Sequence, residues 1–142
     1  MKQIFELAVV VSDEHIDFLK HVNNEIYLRW LMDAANAHST YCGYPVEKYL
    51  ADGACFVVRR HEIDYLAPAF LGERLIIETW VEEMQTRKSR RAYRIRREHD
   101  GRLILSAETV WVFVDLHSGR PVAIPADIIA AFNNYRSPVS IN

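Results

Sequence analysis

The stretch between about residues 25 and 41 constrains the fold more than any other. It carries Ile26, Leu28, Trp30, Leu31, Ala34, Ala35 and Ala37 at helical spacing, with polar positions mainly at Glu25, Arg29, Asp33 and Asn36. A surface helix has one apolar stripe, whereas a helix apolar around most of its circumference needs cover on most sides. The cover follows in the chain. From Ala54 the periodicity changes to two, and residues 54–66, 74–85, 90–98 and 103–114 read as four strands rich in Val, Ile, Tyr, Phe and Trp. A further alternating stretch over 3–12, with Phe5, Leu7, Val9 and Val11 on one side, supplies a first strand.

Turn signals separate these elements. Gly43 with Pro45 stops the helix, the segment from Pro68 to Gly72 breaks two strands, and Asp100-Gly101 and Ser118-Gly119 mark turns. Pro125-Ala126-Asp127 opens a short helix running to about Phe132. Short connections favour antiparallel pairing. The reading is an α+β fold, one antiparallel sheet curled around one long central helix. With 142 residues and no repeat or linker, the chain reads as a single domain over 1–142. The other face of such a sheet needs cover or water, so a homo-oligomer is expected.

Composition excludes several function classes. Half the residues are hydrophobic, a quarter charged, and the net charge is -2, as in a soluble globular protein without global attraction to nucleic acid or anionic membrane. Arg29 and Asp33 interrupt the most apolar region, so membrane insertion is not expected, and residues 1–6 lack a signal-peptide core. Cys42 and Cys55 form no CxxC pair, which argues against a disulfide framework and for a reducing, cytoplasmic location. His15, Asp17 and His21 match no metal-ligand spacing, and neither a metal nor a cofactor is expected.

Immediately before the helix stand Asp17, then His21-Val22-Asn23-Asn24, then Tyr27. Asn23 or Asn24 can cap the first helical turn, and a helix start offers free donors and partial positive charge to an oxyanion. A carboxylate beside such a helix start can attack an acyl carbonyl, or activate water against one. Taken alone, Asp17 reads equally as a turn or capping residue. His21 orients Asp17 or the loop, or is a structural histidine, and Tyr27 is core or pocket wall.

The block Asp17-Phe18-Leu19-Lys20-His21-Val22-Asn23-Asn24-Glu25-Ile26-Tyr27-Leu28 resembles the D-x-x-G-H-V-N-N-x-x-Y-L pattern of the hotdog-fold acyl-CoA thioesterases of the 4-hydroxybenzoyl-CoA thioesterase type. Glu62 to Ala69 with Leu71-Gly72-Glu73, and Asp115 to Pro121 with Ile124-Pro125, resemble later segments of the same family. The resemblance implies a hotdog fold, dimers or tetramers, and acyl-thioester sites at subunit interfaces. It implies Asp17 as the catalytic carboxylate, nucleophile or general base, with helix-start amides from Asn23 to Ile26 as oxyanion donors. Lys20 departs from the pattern, standing where the family keeps glycine.

Eight of the 17 Lys and Arg residues fall between Arg87 and Arg102. Such a cluster can fork onto the phosphates of coenzyme A, with Arg87, Arg90 and Arg91 the favoured contacts, or meet an acidic acyl carrier protein. It can equally blunt a sheet edge against aggregation. Glu62 reads as a surface or interface residue, and the cysteines as apolar packing. Two other activities fit the resemblance: an acyl-thioester hydratase or dehydratase using Asp33 and His38, and a non-catalytic acyl-thioester binding module.

Overall fold

In a computed structural model of the chain, residues 3–133 are described. Strand β1 (Phe5–Val10) leads through a short 3-10 turn (Asp13–His15) to helix α1 (Asn24–Tyr41) and a second helix α2 (Val46–Asp52). Strands β2 (Ala54–Tyr65), β3 (Arg74–Met84), β4 (Lys88–Arg97) and β5 (Leu103–Asp115) follow, then helix α3 (Ala126–Asn133). The five strands form one sheet in the order β1-β3-β4-β5-β2, every pair antiparallel. Helix α2 is not among the elements expected from sequence. It begins at Pro45 and ends at Gly53, whose φ of 79° closes it in the left-handed region.

The long helix is wrapped as its composition requires. Ile26, Tyr27, Trp30, Leu31, Ala34, Ala35 and His38 are buried, packed with Leu75 and Ile77 of β3, Tyr93 and Ile95 of β4, and Leu105 and Ala107 of β5. The small side chains of Ala34 and Ala35 let helix and sheet approach closely. A second cluster, Phe113, Ile124, Ile128 and Phe132, docks α3 beside Tyr49 and Phe56.

The opposite sheet face carries charge. Arg94 and Arg96 approach Glu78 at 3.5 and 3.6 Å, and Arg96 reaches Glu6 at 3.4 Å. The arginines stay partly open to solvent, which screens these pairs, while Glu78 is largely covered. Strand β2 ends the sheet, with Val57, Val58 and Tyr65 exposed along it. No helix among the described residues is long and apolar enough to cross a membrane.

Candidate active site

The segment between β1 and α1 is tied down by its own polar groups. The backbone N–H of Ser12 donates to His15 Nδ1 at 2.9 Å, and the His15 ring stands edge-on against Trp30. Ile16 then pairs with Val22, and His21 with Phe70, so residues 16–22 form a small hairpin. Asp17 and Lys20 close its turn: Lys20 N donates to Asp17 O at 3.0 Å, and Asp17 N donates to His21 O at 2.9 Å. One carboxylate oxygen of Asp17, Oδ1, accepts the Leu19 N–H at 2.9 Å. The other accepts no hydrogen bond among the described residues. Asp17 is thus half-buried, fixed in direction, and left with an open oxygen. Phe18 and Leu19, 90% and 57% exposed, flank it.

Lys20 explains its departure from the family pattern. Its φ is 67°, the left-handed region where glycine is at home. The lysine therefore holds a backbone conformation that glycine adopts without strain. A non-glycine residue there costs roughly 1–2 kcal/mol, partly offset because glycine loses more backbone entropy on folding. Lys20→Gly is expected to leave turnover unchanged and raise stability in denaturant by up to about 1 kcal/mol. A destabilised variant would contradict this backbone assignment.

The helix start narrows the set of candidate donors. Asn23 caps α1, its Oδ1 accepting from Glu25 N at 3.2 Å, while its own N–H donates to His15 O at 2.8 Å. Ile26 N donates to Asn23 O at 2.9 Å. Of the four amides expected from sequence, Asn23 to Ile26, three are filled. The Asn24 N–H has no partner among the described residues. It points from the positive end of an 18-residue helix. Asn23 and Asn24 therefore divide the work: the side chain of one shapes the turn, and the backbone of the other stays free.

The remaining sequence candidates fall elsewhere. His21 reaches Asp17 through its carbonyl, while its ring packs at right angles on Phe70 with centroids 5.1 Å apart. Tyr27 lies in the core, 4% exposed between Trp30 and Tyr65, and burial pushes its hydroxyl up to about 12. Glu62 is an exposed partner of Arg60 at 3.2 Å. Burial likewise raises the Cys42 thiol to about 12, so it is no thiolate nucleophile at neutral pH. Among the described residues no group of three or more His, Cys, Asp or Glu is arranged to hold a metal ion.

The basic cluster is split by strand alternation. Arg90 lies on the outer face between Glu108 at 3.0 Å and Glu83 at 3.5 Å. Arg87 and Lys88 line a cavity of about 680 Å³ together with Arg59. Arg59 was not singled out from sequence. It sits at a register shift in β2, between Val58 and Arg60, and such a bulge re-aims a side chain. Arg91, grouped with Arg87 and Arg90 as a surface contact, faces the opposite way: it is 5% exposed, on the core side of β4 with Tyr93 and Ile95.

His38 accepts a hydrogen bond from Arg91 Nη1 at 2.8 Å, and burial followed by the Arg91 charge lowers its pKa to about 3. A histidine held neutral this firmly is a poor base, and Asp33 of the same helix is exposed. The hydratase pairing of these two residues is not assembled. The depressed pKa also sets a pH dependence. An unfolded histidine takes up a proton below 6.5, and the folded one resists until about 3, so stability falls as pH drops through that window. The slope approaches about 1.4 kcal/mol per pH unit. Urea unfolding at pH 7.5 and 5.5 is expected to show this loss, with a smaller difference in His38→Gln. Equal losses in both proteins would contradict it.

The sequence model of the thioesterase-like superfamily matches residues 10–132. The chain is 28% identical over 124 residues to the L-carnitine dehydrogenase/betainyl-CoA thioesterase of Agrobacterium fabrum. That match covers 87% of this chain but only 25% of the larger protein. It is 26% identical over 128 residues to a long-chain acyl-CoA thioesterase of Escherichia coli, covering 87% of this chain and 92% of the relative. Among solved structures, a Staphylococcus aureus protein in complex with CoA superposes with a TM-score of 0.88 at 19% identity, over 95% of this chain and 85% of that one. A 1,4-dihydroxy-2-naphthoyl-CoA thioesterase from Synechocystis gives 0.86 at 18% identity, over 92% and 96%. These likenesses, with the wrapped helix and strand order, make the fold a hotdog.

Proposed function

The chain belongs to the thioesterase-like superfamily, and from that premise we propose that it hydrolyses acyl-CoA thioesters to free acid and thiol. The observation that carries this reading is that two groups in the segment leading into α1 have no hydrogen-bond partner among the described residues: the Asp17 Oδ2 and the Asn24 N–H. The carbonyl oxygen of a bound thioester would take the Asn24 amide and the positive helix end, which favour the tetrahedral oxyanion over the neutral carbonyl. Asp17 would act on the carbonyl carbon in one of two ways. As a general base it takes a proton from water, and the hydroxyl adds to the carbon. As a nucleophile it forms an acyl anhydride that water then cleaves. Either route breaks the carbon–sulfur bond. The thiolate leaves readily, so no acid group beside it is required.

Arg59, Arg87 and Lys88 would take the nucleotide phosphates of coenzyme A, a reading supported by three cations lining one open cavity, which suits a polyanion. Arg90, with two carboxylates already on it, is the weaker phosphate contact. A second copy of the chain would complete the site. Phe18 and Leu19 leave apolar surface exposed next to Asp17 in the chain, and Tyr65 and Leu66 expose more at the end of β2. Free thiols at Cys42 and Cys55 suit a reducing compartment, so the cytoplasm is the proposed location.

The test is a thiol-release screen over short, medium, long and aryl acyl-CoAs and one acyl carrier protein thioester, with sedimentation for the assembly state. Release from at least one substrate, by a dimer or tetramer, is the expected result. Water addition to an enoyl-CoA without thiol release would point instead to a hydratase. Tight CoA binding without turnover would make the chain a binding module.

A further inference from the structure

Beneath α1 lies a buried cation, Arg91, with no anion beside it among the described residues. The five donors of Arg91 are unevenly used: Nη1 donates to His38 Nδ1 at 2.8 Å and to Thr79 Oγ1 at 3.0 Å, while Nε and Nη2 donate to nothing among the described residues. The groups that act on its charge are Tyr93, Cys42 and Tyr49, all neutral at physiological pH. Its further contact is the ring of Phe132, with the guanidinium carbon 5.9 Å from the centroid. A guanidinium withdrawn from water normally has a carboxylate partner, because its burial is costly otherwise. Among the described residues no carboxylate partners it, and Arg91 lines a cavity.

That cavity, about 190 Å³, lies between α1, α2 and strands β2–β5. Its mouth is formed by Asn36, Val46 and Leu50, and its walls include Phe56, Val81 and Trp111. Arg91 is the single charged residue among the described residues lining it. An apolar chamber with one cation is complementary to one kind of ligand, an apolar body with one negative end. The cavity meets α1 between Ala35 and Ser39, more than ten residues beyond Asn24 and so roughly 17 Å along the axis at 1.5 Å per residue. It is therefore separate from the Asp17 loop of the same chain.

We propose that this cavity binds an organic carboxylate, its apolar part against the aromatic walls and its carboxylate on Nε and Nη2 of Arg91. The side-on edge of a guanidinium presents two parallel N–H groups to two carboxylate oxygens. The carboxylate has two possible sources: a free carboxylic acid, or the far end of a dicarboxylic acyl thioester. The second source rests on the thioesterase reading, and the first does not. The site would disfavour a cationic acyl group, which would meet a second positive charge in a dry chamber.

The test uses calorimetric titration of the full chain with octanoate and with octan-1-ol, which share a carbon skeleton and differ in charge. Octanoate is expected to bind at least tenfold tighter. Arg91→Met is expected to remove that preference and Arg91→Lys to keep part of it, each checked for folding by circular dichroism. The wild-type comparison stands even if a variant fails to fold. Thiol release from octanedioyl-CoA and octanoyl-CoA then separates the sources. A tenfold or greater preference for octanedioyl-CoA assigns the chain end, and tight octanoate binding without it assigns the free acid. Octanoate binding no tighter than octan-1-ol, with no preference for octanedioyl-CoA, overturns the proposal. A chain that releases no thiol but still prefers octanoate would refute the thioesterase reading and leave the carboxylate site standing.

Discussion

Proline at position 24 is expected to slow thiol release by about 10²–10³-fold while leaving the protein folded. The substitution removes one atom that matters, the amide hydrogen of Asn24. Position 24 is the first residue of α1, where the proline ring is tolerated because that N–H has no intrahelical partner. The residue before it already has the extended backbone a following proline demands, since Asn23 has φ -65° and ψ 138°. The Asn23 cap on Glu25 N is untouched. Asn24→Ala is the matched control: it deletes the side chain, keeps the N–H, and is expected to stay within a few-fold of wild type. Together the pair assigns the effect to the backbone. Asn24→Pro turning over at the wild-type rate would remove the helix start from the mechanism.

Much of the fold was readable from periodicity. The expected helix over 25–41 is Asn24–Tyr41 in the structure, and four strands were expected where β2 to β5 lie. Those elements are long and strongly patterned, so local sequence decides them. Helix α2 went unread because it is seven residues long, has no buried residue, and is delimited by Pro45 and Gly53 more than by a pattern. The position of β2 at the sheet edge, beside β5 and not β3, depends on the crossover over α1 and has no local signal.

The arginine cluster shows the same limit from the other side. Proximity in sequence grouped Arg87, Arg90 and Arg91. Strand alternation, already present in Ser89, Arg91, Tyr93 and Ile95, puts Arg91 on the face with the apolar residues. What sequence withheld was that no carboxylate among the described residues receives it. Around Asp17 the residue types were readable and the geometry was not. The open Oδ2 follows from a hairpin closed by backbone bonds and the unpartnered Asn24 N–H from the first turn of α1, and no residue spacing encodes either.

Asp17 is the second group whose loss is expected to be large. Asparagine is the informative replacement because it keeps the size and the Oδ1 acceptor for Leu19 N. The turn at Asp17–Lys20 and the hairpin beyond it should therefore persist, with the same thermal midpoint. What disappears is the negative charge and the basicity of the open oxygen. A neutral amide can neither take a proton from water nor attack a thioester carbon at a useful rate, so either catalytic route fails. Removal of a general base costs typically 10²–10⁴-fold, and loss of a nucleophile at least as much. The effect should fall on kcat, with KM little changed, because the carboxylate acts on the transition state and not on the CoA moiety. The decisive measurement is thiol release by wild type and Asp17→Asn, side by side, on one acyl-CoA that the wild-type protein hydrolyses. A loss of a hundredfold or more in kcat, in a variant with the wild-type melting midpoint, is the expected result. A correctly folded Asp17→Asn protein that releases thiol within a few-fold of the wild-type rate would contradict the assignment of this carboxylate to catalysis.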